Sequence, residues 1–279
     1  MRIAVLTDIH SNLHALRACI AQAKRMGAQR FIFLGDYTSD CAQPFECMDE
    51  MHALEREFPC TFIRGNRDDA QIDCRKNGCT WEWGSKTGSL RFTYESLRER
   101  DLDWLETLSG PTVLELPGCA PLLLCHGSPE AQRELLYPHG AATKKWAGRV
   151  SGTMLCGHSH KPFIHRQGKS QIVNCGTVGV PCAGDPRSIF GLIDSDGVSG
   201  WQARLIPVEY DIEGAVEAIR LSGLLEKAPW WARSVIAELR TGRSFMMGCL
   251  LLAQRYAAQS GEPLSEAHWQ AAGDKLGIT

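Results

Sequence analysis

The sequence predicts a layered α/β fold that becomes α+β in its later part and carries a helical appendage behind it. Three observations predict this. Short apolar strands alternate with amphipathic helices over the first 66 residues. Closely spaced strands separated by Gly turns return between residues 112 and 208. From Ile212 onward the apolar pattern is helical throughout.

Ile3 to Thr7 is a continuous apolar or β-favouring run and reads as a buried strand. Leu13, Leu16, Ile20 and Ala23 then recur at helical spacing, so a helix is expected over about 11–26, with Ser11 as N-cap and Gly27 closing it. Arg30 to Leu34 is the next strand. Pro44 opens a helix running to Glu57, Pro59 ends it, and Cys60 to Ile63 makes a third strand. This β-α-β-α-β order implies helices packed on a largely parallel sheet. Residues 67–110 hold Trp81, Trp83, Tyr94 and Trp104 with helical patches and little strand signal, and are expected to be an inserted helical cap. Strands resume at Thr112 to Leu116 and Leu122 to Cys125, followed by a polar helix over about 128–149 and a strand at Thr153 to Cys156. Short strands at 163–165, 171–174, 188–194 and 201–208 read as an antiparallel meander. Four helices are expected at about 212–222, 228–240, 244–258 and 264–275. The domain organisation is therefore 1–208, with the insertion at about 67–110, and a C-terminal helical extension over 209–279.

A chain of 279 residues can bury a sizeable core. A net charge of −2 supplies no general field for nucleic acid or an anionic membrane. Asp8 and His10 interrupt what would be the apolar core of a signal peptide, so a cytoplasmic location is expected. None of the 12 cysteines form a Cys-x-x-Cys pair, which argues against a zinc ribbon. Cys60, Cys125, Cys156 and Cys175 sit in apolar strands as small hydrophobes, so free thiols are expected, with Cys74 and Cys79 as the redox-sensitive exceptions.

The chemistry collects where strands end. Asp8, His10, Asp36, Asn66, His126, His158 and His160 each follow an apolar strand, where an open layered sheet places its ligand sites. The set mixes oxygen and nitrogen donors without thiolate. That suits borderline-hard divalent ions: manganese first, with iron, cobalt, nickel or zinc as alternatives. Seven donors are too many for one tetrahedral ion and suit two, if one carboxylate bridges.

The blocks Asp8-Ile9-His10, Gly35-Asp36, Gly65-Asn66-Arg67-Asp68, Cys125-His126-Gly127 and Gly157-His158-Ser159-His160, in this order, resemble the calcineurin-like metallophosphoesterase family. Asp8 to Leu13, Asn174 to Gly179 and Gly184 to Arg187 are similar to its small bacterial and archaeal phosphodiesterase branch. The resemblance covers residues 1 to about 205 and implies a four-layer αββα sandwich. It also implies Asp8, His10, Asp36 and His160 on one metal, and Asp36, Asn66, His126 and His158 on the other, with Asp36 bridging. The implied activity is hydrolysis of a phosphodiester or nucleotide phosphoanhydride by in-line attack of a metal-bridging hydroxide. A phosphomonoesterase and a non-catalytic scaffold on the same fold are the rival readings. The expected partner is a small phosphorylated or nucleotide substrate, and the C-terminal helices offer a contact for a homo-oligomer.

One block departs from the family's pattern. Where its G-N-H-[DE] has histidine, this chain has Arg67. A guanidinium stays protonated and cannot act as an acid, but it can grip phosphate with two parallel hydrogen bonds. Asp36, Asn66, Arg67 and His126 are thus the candidate catalytic groups, and Asn66, Arg67 and His14 the candidate substrate contacts. Leaving groups that need no proton are expected. Lys161 and Arg187 can either touch substrate or sit in salt bridges. Asp40 reads as a cap for the following helix. Trp230, Trp231 and Trp269 read as packing, and His52, His139, His165 and His268 as bystanders, with His139 and His165 nearest to a substrate role.

Overall fold

A computed structural model describes residues 1–278; Thr279, the last residue of the expected extension, lies outside them. The chain runs β1 (Arg2–Leu6), α1 (Leu13–Arg25), β2 (Arg30–Phe33), α2 (Pro44–Glu57) and β3 (Cys60–Phe62). Three helices follow, α3 (Asn66–Asn77), α4 (Gly88–Ser96) and α5 (Glu99–Thr107). Then come β4 (Thr112–Leu114), β5 (Leu122–Leu124), α6 (Ala141–Ala147), β6 (Gly152–Cys156), β7 (Phe163–Gln167), β8 (Ser170–Asn174), β9 (Ser188–Ser195) and β10 (Trp201–Val208). The C-terminal part is α7 (Ile212–Leu221), α8 (Leu224–Lys227), α9 (Pro229–Thr241), α10 (Met246–Ser260) and α11 (Glu266–Leu276).

Among the described residues there are two five-stranded sheets, in the orders β10-β9-β1-β2-β3 and β4-β5-β6-β8-β7. Side chains alternate across each strand, and that parity builds the layers. Ile3 and Val5 of β1 meet Leu122, Leu124, Leu155 and Val173 of the second sheet in one buried cluster. Ala4 and Leu6 point the other way, onto Leu16 and Ile20 of α1 and Met48 and Met51 of α2. On the far face of the second sheet, Met154 and Ile172 pack with Trp146 of α6. Helix, sheet, sheet and helix are thus stacked as an αββα sandwich.

Several expectations are corrected. Asn12, not Ser11, caps α1: its side chain accepts from Ala15 N at 3.1 Å. The helix expected over 128–149 shrinks to α6, because Pro129, Pro138 and Gly140 break the stretch before it. The meander is two hairpins in different sheets. β8 runs parallel to β6 and antiparallel to β7, while β9 pairs antiparallel with β1 and β10. Ile72, Leu102 and Leu105 of the insertion join the main core. Cys74 and Cys79 form a disulfide, because Gly78 turns the chain at positive φ where α3 ends. Cys125, Cys156 and Cys175 are buried and free, as expected. The helices from α7 onward build a second core, in which Val216, Trp231, Val235, Leu239 and Trp269 also pack against Cys41, Phe92 and Val180. No described helix is long and apolar enough to cross a membrane.

Candidate metal centre

Parallel strands β1, β2, β3, β5 and β6 all end on the same side, and the chain turns there sharply. Asp8, His10, Asp36, His158 and His160 all have positive φ, between 49° and 63°, a region side chains other than glycine rarely occupy. Such strain persists only where surrounding contacts over-determine it, and it concentrates at functional sites. Gly157 is required here: a Cβ on it would collide with Thr7 Oγ1 and Asp8 Oδ2.

The turns gather two triads, Asp8 with His10 and His160, and Asp36 with His126 and His158; the donor atoms of each lie within 4.8 Å of one another. Asp36 reaches both. Its Oδ2 is 3.4 Å from His126 Nε2 and 4.0 Å from His10 Nε2, while its Oδ1 accepts from Arg67 N at 2.7 Å. Asp8 Oδ1 lies 3.2 Å from His160 Nε2 and 3.9 Å from His126 Nε2. Asp8 Oδ2 is occupied by Thr7 Oγ1 and His158 N, at 2.7 and 2.9 Å.

Each imidazole is held from behind. His126 Nδ1 donates to Leu34 O at 2.8 Å, His160 Nδ1 to Val180 O at 2.9 Å, and His158 Nε2 to Arg133 O at 3.2 Å. His10 Nδ1 faces Asp40 Oδ2 at 3.0 Å. A carbonyl or carboxylate only accepts, so each of these nitrogens carries a hydrogen and the other nitrogen of each ring is turned toward the cluster. His10 Nε2 and His160 Nε2 meet at 3.0 Å. Both nitrogens could serve one cation placed between them.

Asp8 Oδ1, Asn66 Oδ1 and His126 Nε2 are buried without a hydrogen-bond partner. Buried polar atoms are seldom left so, and all three belong to the expected ligand set. Burial would neutralise Asp8, but His160 and His126 outweigh it and hold its carboxyl well below the usual range. For Asp36, burial is likewise outweighed, by His126 and His10. Burial lowers the basicity of His126, yet Asp36 and Asp8 raise it to about 9. Burial, then His126, push His158 down to about 4. The donors are anionic and imidazole, mostly buried, with His158 and His160 at the solvent edge. They fit a pair of divalent cations.

Residues 1–197 match the calcineurin-like phosphoesterase superfamily domain. The chain belongs to that superfamily. It is 27% identical over 238 residues to an uncharacterized protein of Methanocaldococcus jannaschii, across 78% of this chain and 91% of the relative. A metallophosphoesterase from Sphaerobacter thermophilus superposes with a TM-score of 0.69 at 25% identity, covering 87% of this chain and 100% of that one. A hypothetical protein from Pyrococcus horikoshii OT3 shares the fold, with a TM-score of 0.70 at 22% identity over 86% of this chain and 98% of that one. The superfamily makes the phosphoesterase a metal-dependent hydrolase of ester bonds, with a dinuclear centre of divalent ions.

Other sequence candidates lie elsewhere in the phosphoesterase. His14 is outside both triads, with Nδ1 3.8 Å from Asp211 Oδ2 at the start of α7. Arg187 is paired with Asp185 at 2.6 Å, and Lys161 Nζ donates to Cys182 O. Asp40 is no helix cap: α2 begins without a side-chain cap, and Asp40 is buried behind His10. Asp68 is a further group the motif alone did not assign. It accepts from Gly65 N and Asp36 N, both at 2.8 Å, and from Tyr37 N at 3.1 Å, tying two ligand-bearing turns together. Burial, and then Asp36, push its carboxyl up to about 7.

Proposed function

We propose that the protein hydrolyses phosphodiester or nucleotide phosphoanhydride bonds of a small substrate at a dinuclear centre. Asp8, His10, Asp36 and His160 would hold one ion and Asp36, Asn66, His126 and His158 the other, with Asp36 shared between them. Manganese suits this thiolate-free set of oxygen and nitrogen donors. The observation that carries the assignment is the pair of triads, together with buried side-chain atoms on Asp8, His126 and Asn66 that have no hydrogen-bond partner. When bound, the ions supply Lewis acidity and lower the pKa of water enough for attack on phosphorus near neutral pH.

The chain's own groups do the rest. Arg67 N and the start of α3 present the positive end of a helix beside Asp36, a favourable place for phosphate oxygens. The Arg67 side chain, 25% exposed, leans on Asp40 with Nη2 3.5 Å from Oδ2, and keeps further donors for a phosphate. Of the ligand candidates, His158 and His160 also reach solvent, so the substrate approaches from the side they share with Arg67.

Arg67 also sets the preference. No imidazole stands at its position to protonate a leaving oxygen, so aryl and nucleotide leaving groups are favoured over alkyl ones. Hydrolysis of an aryl phosphodiester, an alkyl phosphodiester and an aryl monoester with added Mn2+, with and without chelator, tests this. Chelator-sensitive turnover at least about 10-fold faster for the aryl than for the alkyl diester is expected, with Arg67→His narrowing the gap. Equal rates on the two diesters would remove the leaving-group preference. Faster turnover of the monoester would make the enzyme a phosphomonoesterase.

A further inference from the structure

The C-terminal helices reach the metal centre through one buried carboxylate, Asp40. It is 1% exposed, and groups from five parts of the chain converge on it. Its Oδ2 lies 3.0 Å from His10 Nδ1 and 3.5 Å from Arg67 Nη2, and accepts from Ser39 Oγ at 3.2 Å. Its Oδ1 accepts from Trp231 Nε1 of α9 at 2.8 Å and from Ser89 Oγ of α4 at 3.3 Å. The Arg67 guanidinium also lies over the Trp231 ring, 5.9 Å from its centroid.

We propose that Asp40 is a positioning residue for His10, and that Trp231, by holding Asp40, makes the C-terminal helices a working part of the metal centre. The proposal rests on the metal-centre assignment above. Three of the four imidazoles are oriented by neutral backbone carbonyls. His10 alone is backed by a carboxylate. That contact fixes the tautomer with Nε2 facing the cluster and raises the basicity of the inward nitrogen, which strengthens a metal bond. Asp40 itself sits in a strained turn, with φ of 66°, beside Ser39 at 90°. The chain alone does not favour that turn. Trp231 and Ser89, from elements far away in sequence, pin the carboxylate in place. The same carboxylate anchors Arg67, so the ligand His10 and the phosphate-facing guanidinium share one support.

The test is a Co2+ titration of the full chain by calorimetry and visible absorption, comparing wild type, Asp40→Asn and Trp231→Phe, with melting of the metal-free forms alongside. The wild type is expected to take up two ions. In Asp40→Asn one of the two binds about 10- to 100-fold more weakly with an altered absorption band, while the other is unchanged. Trp231→Phe keeps most of the ring volume and removes the indole donor, so it moves the same ion in the same direction by less. Wild-type affinity and spectrum for both ions in both variants would overturn the proposal. So would equal weakening of both ions that merely tracks a lower melting temperature. A wild type that binds no Co2+ would instead remove the metal-centre assignment itself, and this inference with it.

Discussion

Asp36 concentrates the site's chemistry in one side chain. Its Oδ2 faces both triads, and its Oδ1 is fixed by Arg67 N. Asp36→Asn keeps the size and an acceptor for Arg67 N but removes the charge that two cations would share. Both ions should therefore be weakened together, and turnover should fall by more than about 100-fold, beyond the loss for a supporting hydrogen bond. Metal content after dialysis and kcat report it; full metal content and rate would refute the bridging assignment. The six triad residues were legible in the sequence as ligand candidates because each follows an apolar strand, and strand ends in a layered sheet are where ligands gather. Asp40 was not. Its decisive donors, Ser89 and Trp231, lie 49 and 191 residues away, and no local pattern reports such contacts. Asp68 was visible as a letter of its block, but not as the acceptor of three backbone N–H groups.

Elements were legible where punctuation and periodicity agreed. Helix α2 runs from Pro44 to Glu57 as expected, because a first-turn proline opens it and Pro59 forces Phe58 into an extended conformation that ends it. The hairpins were misplaced because strand spacing reveals neighbours in sequence and not the sheet they join; β8 and β9 are consecutive yet lie in different sheets. Helix α9 carries a buried carboxyl that periodicity could not explain. Glu238 Oε1 accepts from Met246 N at 2.7 Å and from Phe245 N, capping the start of α10. Burial pushes its pKa up from 4.5 to about 7. In that window the folded protein binds more protons than the unfolded chain, so this group's contribution is whole below about pH 4.5 and is lost as pH rises through 7. Glu238→Gln keeps the acceptor and cannot ionise. Its stability relative to wild type, read from melting curves, should climb between pH 5 and pH 8, by on the order of 3 kcal/mol at most. Parallel melting curves across that range would show that Glu238 is not the titrating group.

At the scale of the whole molecule, two buried clusters reach the ligand-bearing turns: one holds Ile9 and Tyr37, the other Cys41 and Val180. The sequence separated a domain over 1–208 from a helical extension over 209–279, since composition and periodicity change there. Packing joins them. Val180, whose carbonyl accepts from His160 Nδ1, is fully buried in the core that α7 to α11 build, together with Cys41, the neighbour of Asp40. Trp231 supports His10 through Asp40 from the same layer. A chain ending at Val208 would expose Cys41, Phe92 and Val180, each side chain costing up to about 1.5–3 kcal/mol of lost burial, against a total stability of roughly 5–15 kcal/mol. It would also release the groups behind His10 and His160, both of the same triad. The 1–208 fragment is therefore expected to aggregate or to unfold at least about 10 °C below the full chain. Any soluble fraction should hold an ion at Asp36, His126 and His158 better than at Asp8, His10 and His160. Soluble yield, circular-dichroism melting and metal content of the fragment measure this. A well-folded 1–208 chain carrying two ions would mean that the C-terminal helices support neither the fold nor the metal centre.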